Sequence, residues 1–199
     1  MRYLSPALVL MASLAFLAPA AHAVPITFEA TLSGAAEIPP VASPGTGHAV
    51  VILDPTANSL EVQISFSGLT SGTTASHIHC CVPSGLPGNL LVATTTPTFP
   101  GFPLGVTSGT YDHTFDLTLA SSYNPAFVTA EGGVPQAEAA LITAIESGAN
   151  YLNIHTSNFP TGEIRGALVP TAEPASLILL GSALFGLGLI RRRNSVARS

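Results

Sequence analysis

The chain has 199 residues, of which 47% are hydrophobic and only 9% charged, with 18 Gly and 17 Pro. That length suits one domain plus processing segments, and the abundance of turn formers favours many short elements over long helices. Arg165 is the only cation between residues 24 and 173, against eleven acids, so that span has a formal charge of −10 with His neutral. Such a domain repels nucleic acid and anionic lipid, and suits divalent cations or basic partners better.

Arg2, an apolar run over residues 8–17 and the small-x-small sequence Ala21-His22-Ala23 read as a secretory signal over residues 1–23. The first strand of the mature chain is then Ile26, Phe28, Ala30 and Leu32 alternating with polar residues. Pro39-Pro40 stops it, because consecutive prolines lack donors and fix φ. Residues 48–53 and 60–66 read as a hairpin turning at Asn58-Ser59. In residues 75–81, His77 and His79 share one strand face and Ile78 takes the other. Residues 90–93 form a short strand, and residues 94–109, with three prolines and three glycines, a long loop. Residues 111–119 predict the longest regular strand, with His113 on its apolar face as a core histidine. Residues 135–147 change to a helical period, with Pro135 in the first turn and Gly148 at the C-terminal cap. Leu152 and Ile154 alternate with Tyr151, Asn153 and His155; a turn through Pro160 and Gly162 leads to a last strand around Ile164. This closing hairpin is expected to bring His155 near Arg165. Short strands at steady spacing predict a mainly β domain over residues 24–170, an antiparallel β-sandwich or Greek-key barrel with one short helix, flanked by hydrophobic targeting segments.

The tail, residues 171–199, holds Ala172-Glu173-Pro174, an apolar run over residues 177–190 and the cluster Arg191-Arg192-Arg193. The run is short for an ordinary spanning helix, and the arginines would stay on the cytoplasmic side. Motif, short helix and basic tail resemble the PEP-CTERM sorting signal of Gram-negative bacteria, although Ala172 replaces the first Pro. The resemblance implies transient anchoring in the inner membrane and an exosortase-like enzyme that recognises the signal containing Glu173-Pro174 and removes the anchor, before delivery to the cell surface or medium. A simple membrane anchor is the alternative.

Three imidazoles carry the chemistry. Two His two apart on a strand can converge on one ion, and another strand can supply a third, so His77, His79 and His155 form a candidate site for copper or zinc. Alternatively they hydrogen-bond within the sheet. Cys80 and Cys81 are the only cysteines. In an oxidising compartment they form a vicinal disulfide, serve as soft metal ligands beside the histidines, bond to another chain, or, less readily, persist as free thiols. Arg165 is either held in a structural ion pair by Glu37 or Glu163, or free to recognise an anion. No phosphate loop or nucleophile motif occurs, and the enzyme class is left open, leaning towards none.

Three ordered blocks resemble the CHRD domain, the chordin-type module of many bacterial secreted proteins. They are Ala30-Thr31-Leu32-Ser33-Gly34-Ala35-Ala36-Glu37-Ile38-Pro39-Pro40-Val41, then Ser76-His77-Ile78-His79, and finally residues 150–166. The resemblance implies one compact domain and an exported protein, with a surface or matrix binding role towards a protein or polysaccharide. A distant likeness to the copper/zinc superoxide dismutases, in the order His77, His79, His155, Arg165, supports the alternative of a metal-dependent redox protein. No fourth copper histidine or zinc loop matches.

Overall fold

The computed structural model describes residues 24–83, 85 and 88–171. Nine strands and two helices follow in chain order: β1 (Ile26–Ser33), β2 (Thr46–Asp54), β3 (Ser59–Ser67), β4 (Thr73–Pro83), β5 (Leu90–Val92), β6 (Gly109–Asp116), α1 (Pro125–Glu131), α2 (Val134–Ser147), β7 (Asn150–Thr156), β8 (Ile164–Gly166) and β9 (Val169–Pro170). The strands join one antiparallel sheet in the order β5-β4-β7-β8-β1-β2-β3-β6, with β9 added on β1. Its alternation is the expected one. Phe28, Ala30 and Leu32 of β1 meet Val51 and Ala49 of β2 and Val62 and Ile64 of β3 on a single buried face.

Instead of two stacked sheets or a closed barrel, the sheet is one curled half-barrel. Its halves, β5-β4-β7-β8 and β1-β2-β3-β6, meet where Ser33 pairs with Arg165. The three-residue β8 is therefore the seam of the whole fold, and Arg165 sits on it.

Two element assignments differ from the expectation. The helical region contains two helices. Asn124 caps α1 by accepting from Ala126 N at 3.0 Å, and Pro125 occupies the first turn. A seven-residue helix of this kind has too few turns to show a period. The expected helix is α2, which buries Ala137, Leu141, Ala144 and Ile145 against the sheet and ends at Gly148, whose φ of 74° is left-handed. The longest strand is β4, with 11 residues, and not the segment beginning at Tyr111. That segment leaves the sheet after Asp116, whose carboxylate accepts from Thr118 N and turns the chain. His113 does lie on the inner side of β6, packed edge-on against Phe115 at 4.7 Å.

Candidate metal centre

On β4, Ile78 and Cys80 point into the core, so His77 and His79 point outward. The antiparallel register sets His77 opposite Asn153, His79 opposite Tyr151 and Ala75 opposite His155. All of these side chains share one face. His155 is thus the diagonal neighbour of His77, close enough for long side chains to meet. Although outward, the face is covered: His77 and His79 are 5% and 7% exposed.

Each imidazole is anchored by one backbone carbonyl. Pro97 O lies 2.7 Å from His77 Nε2, Leu90 O 2.8 Å from His79 Nδ1, and Pro160 O 2.9 Å from His155 Nδ1. A carbonyl only accepts, so the nitrogen facing it carries the proton. In a neutral ring the other nitrogen then carries a lone pair: Nδ1 of His77, Nε2 of His79 and Nε2 of His155. One ligand nitrogen from each ring lies within 4.8 Å of the other two. His77 Nδ1 and His155 Nε2 are 3.4 Å apart. Two imidazoles on a tetrahedral ion, with bonds of about 2.05 Å, place their nitrogens about 3.3 Å apart. Fixing ring orientation through the second nitrogen is the usual outer-shell arrangement of metal-binding histidines.

The rings are held neutral. Burial pushes His77 down to about 3, and the neighbouring His155 and His79 push the same way against its bond to Pro97. Burial likewise lowers His79 to about 4, opposed by its bond to Leu90. His155 is lowered by burial as well. Three neutral imidazoles, with one nitrogen of each within 4.8 Å of the other two, can accept a cation without first losing protons at pH 7.

Behind the histidines lies a second layer. Tyr151 stacks on His79 at 4.6 Å, and the Arg165 guanidinium covers the same Tyr ring at 4.5 Å. Arg165 is 5% exposed. Its Nε donates to Ala36 O at 2.7 Å and its Nη1 to Asn89 Oδ1 at 3.0 Å. Of the two carboxylates expected beside it, Glu37 lies 3.7 Å away. Burial pushes Glu37 up to about 7 despite the opposing Arg165 charge. Glu163 is engaged elsewhere. Its carboxylate accepts from Ser43 Oγ at 2.6 Å, Thr70 N at 2.7 Å and Thr156 Oγ1 at 2.5 Å. These bonds hold its pKa down against the burial that raises it. Glu163 precedes β8, and its bonds direct it to the loops around Ser43 and Thr70, away from the guanidinium. The hairpin register also sets Arg165 opposite Asn153, with His155 two residues further along β7.

The cysteines stand apart from this centre. Cys80 and Cys81 are bonded to each other. Cys80 is buried in the core on the opposite face from His77 and His79, so the structure does not bring it to the imidazoles. Cys81, with a φ of 68°, is exposed beside Ala140 O. The expected signal cleavage at Ala21 and Ala23 and the sorting residues Glu173, Pro174, Arg191, Arg192 and Arg193 lie outside the described residues. Among the described residues, no helix is long and apolar enough to cross a membrane.

Sequence reasoning marked the three histidines but passed over Tyr151 and Asn153, although they share the alternation of β7 with His155. The carbonyls of Leu90, Pro97 and Pro160 leave no signal in side-chain chemistry. A family model for the CHRD domain matches residues 28–168, well over half the chain. The protein therefore belongs to the CHRD domain family, and its half-barrel is the CHRD module. No curated protein and no solved structure matches it.

Proposed function

We propose that the protein is an exported CHRD binding module whose three-imidazole centre, His77, His79 and His155, holds a transition-metal ion, zinc or copper. The observation that carries this reading is the carbonyl tether on each ring, combined with one ligand nitrogen from each ring lying within 4.8 Å of the other two. A set of histidines serving only to fix strand register would have no need to leave those nitrogens facing one another. Imidazole suits zinc and copper among the available metals. The acidic domain favours cation capture.

Export rests on the leader ending at Ala21-His22-Ala23. Sorting by an exosortase-like enzyme, with transient residence in the inner membrane and final placement at the surface or outside the cell, rests on Glu173-Pro174 and Arg191-Arg192-Arg193. A surface polysaccharide or protein is the partner proposed for the module. The redox alternative is weakened by Arg165. A dismutase-like site needs a cation free to attract an anion, whereas this guanidinium is buried and bonded to Ala36 and Asn89.

Metal content of the purified full chain tests the proposal. One zinc or copper per chain is expected, lost on replacing His77 and His79 with Ala. Protein that contains no metal and takes up neither ion on addition would refute it.

A further inference from the structure

The metal reading leaves one residue of the same face unassigned. Asn153 stands at the middle of the constellation: directly opposite His77 on β4, two residues from His155 on its own strand, and diagonal to His79. It is 1% exposed, and its Oδ1 has no hydrogen-bond partner. Its backbone carbonyl is occupied by Ser76 Oγ at 2.8 Å, so only the side chain is uncommitted.

The direction of the amide is also visible. A Cβ built at Gly162 would lie 2.9 Å from Asn153 Nδ2. Nδ2 is therefore turned towards the β7–β8 turn, and Oδ1 points the other way, towards β4 and its imidazoles. The Asn153 side chain hydrogen-bonds the protonated form of the His79 ring, which raises its pKa against burial, but the neutral ring has no Nε2 proton to give it. His79 Nε2 is itself buried without a partner. An oxygen lone pair and a nitrogen lone pair thus lie side by side with no proton for either. Buried acceptors are seldom left in this condition unless something absent from the protein chain completes them.

We propose that Asn153 is the fourth protein donor of this centre, offering Oδ1 to the cation that the three imidazoles hold. The proposal rests on the metal reading above and deepens it. Three nitrogens and one amide oxygen make a closed, four-donor set, which is the mark of a structural ion more than a catalytic one. The hard oxygen donor also selects for a divalent ion, zinc(II) or copper(II), over the softer copper(I). His79 Nε2 and Asn153 Oδ1 lose their unpartnered state together when the ion enters.

The test is cobalt(II) and zinc(II) titration of the full chain and of Asn153→Ala and Asn153→Asp, with circular dichroism to confirm that each is folded. Wild type should bind one cobalt(II) with the intense visible absorption of a four-coordinate ion, unchanged by added azide. Asn153→Ala should bind at least about 10-fold more weakly, because losing even a partner behind the ligands typically costs about 10 to 100-fold. Its spectrum should shift with azide, because a coordination position has opened. Asn153→Asp, which keeps the shape and adds a charge, should bind more tightly than wild type, and this variant carries the test if the Ala variant does not fold. Wild-type affinity and an azide-insensitive spectrum in Asn153→Ala would overturn the assignment while leaving the three-histidine site standing. Tighter binding by Asn153→Ala would overturn it too, by showing that the amide donates to His79 and competes with the ion. Failure of wild type to bind cobalt(II), zinc(II) or added copper(II) would refute the centre and this assignment together.

Discussion

Arg165→Ala is the sharpest perturbation of the frame that holds the site. The guanidinium makes two hydrogen bonds, to Ala36 O and Asn89 Oδ1, one contact with the Glu37 carboxylate and one with the Tyr151 ring. Truncating one member of a buried pair typically costs about 3 to 5 kcal/mol, because the other charge is stranded. Here the stranded charge has an escape. Glu37 is already raised to about 7, and losing its cation raises it further, so near neutral pH the variant neutralises it by taking up a proton. The lost hydrogen bonds and ring contact remain, so the expected cost at pH 7 is near the lower end, about 3 kcal/mol. For a domain of this size that lowers Tm by roughly 6 to 12 °C. The pH dependence gives a second check. An acid with a raised folded pKa contributes stability below its unfolded value of 4.5 that is lost as pH rises through the folded pKa. Removing Arg165 moves that upper limit higher, so the gap between variant and wild type should widen from pH 6 to pH 9. Urea unfolding of both proteins across that range measures it. A Tm within a degree or two of wild type, or a gap that narrows with pH, would show that Arg165 is not the strut of the seam.

Other outcomes follow from the remaining groups. His77, lowered to about 3, and His79, lowered to about 4, contribute stability that is present above their unfolded value of 6.5 and lost as pH falls towards those values. His155 has the same sign and Glu37 the opposite one, so the metal-free domain should lose about 1 to 3 kcal/mol per pH unit between pH 6 and 5; equal urea midpoints at the two pH values would contradict the burial of the rings. Mass spectrometry without reductant should find Cys80 and Cys81 oxidised together, and two thiols that alkylate at once would exclude the bond between them. Replacing Glu173 and Pro174 with Ala should leave the protein uncleaved in the inner membrane, and normal processing would show that the tail is not the sorting signal.

The strands were legible because each buries one face, which writes a period of two into residues such as Ile26, Phe28, Ala30 and Leu32. The shared face of His77 and His79 followed from the same period. Their meeting with His155 needed the register of β4 on β7, a long-range fact that no local pattern encodes. Glu163 illustrates the limit. Two residues from Arg165, it was an obvious partner by alternation, but β8 begins only at Ile164, and two donors from distant loops together with Thr156 at the end of β7 draw its carboxylate away. Glu37, 128 positions earlier by sequence number, is the closer carboxylate because the turn after β1 folds over the seam. A single curled sheet instead of two sheets likewise depends on one pairing, Ser33 with Arg165, that a three-residue strand supplies.

The cost of the centre to the fold is itself an argument about its purpose. Buried side-chain polar atoms without a partner are few among the described residues: Glu37 Oε1, His79 Nε2, Tyr111 Oη and Asn153 Oδ1. Only Tyr111 lies away from the centre and its second layer. Elsewhere the sheet is attentive to such groups; even Glu163, fully buried, has three donors. A fold able to satisfy that carboxylate could satisfy an amide and an imidazole with one added hydroxyl. Gly162 shows how tightly the region is fitted: its φ is 129°, and a side chain there would collide with Glu37 and Asn153. Close fitting around unpaired atoms supports the proposal that a bound cation completes the site. On that reading, binding stabilises the folded state by an amount that grows with ion concentration over Kd, about 2.7 kcal/mol at a hundredfold excess. The ion would then link β4 to β7, bracing that half of the sheet as Arg165 braces the seam.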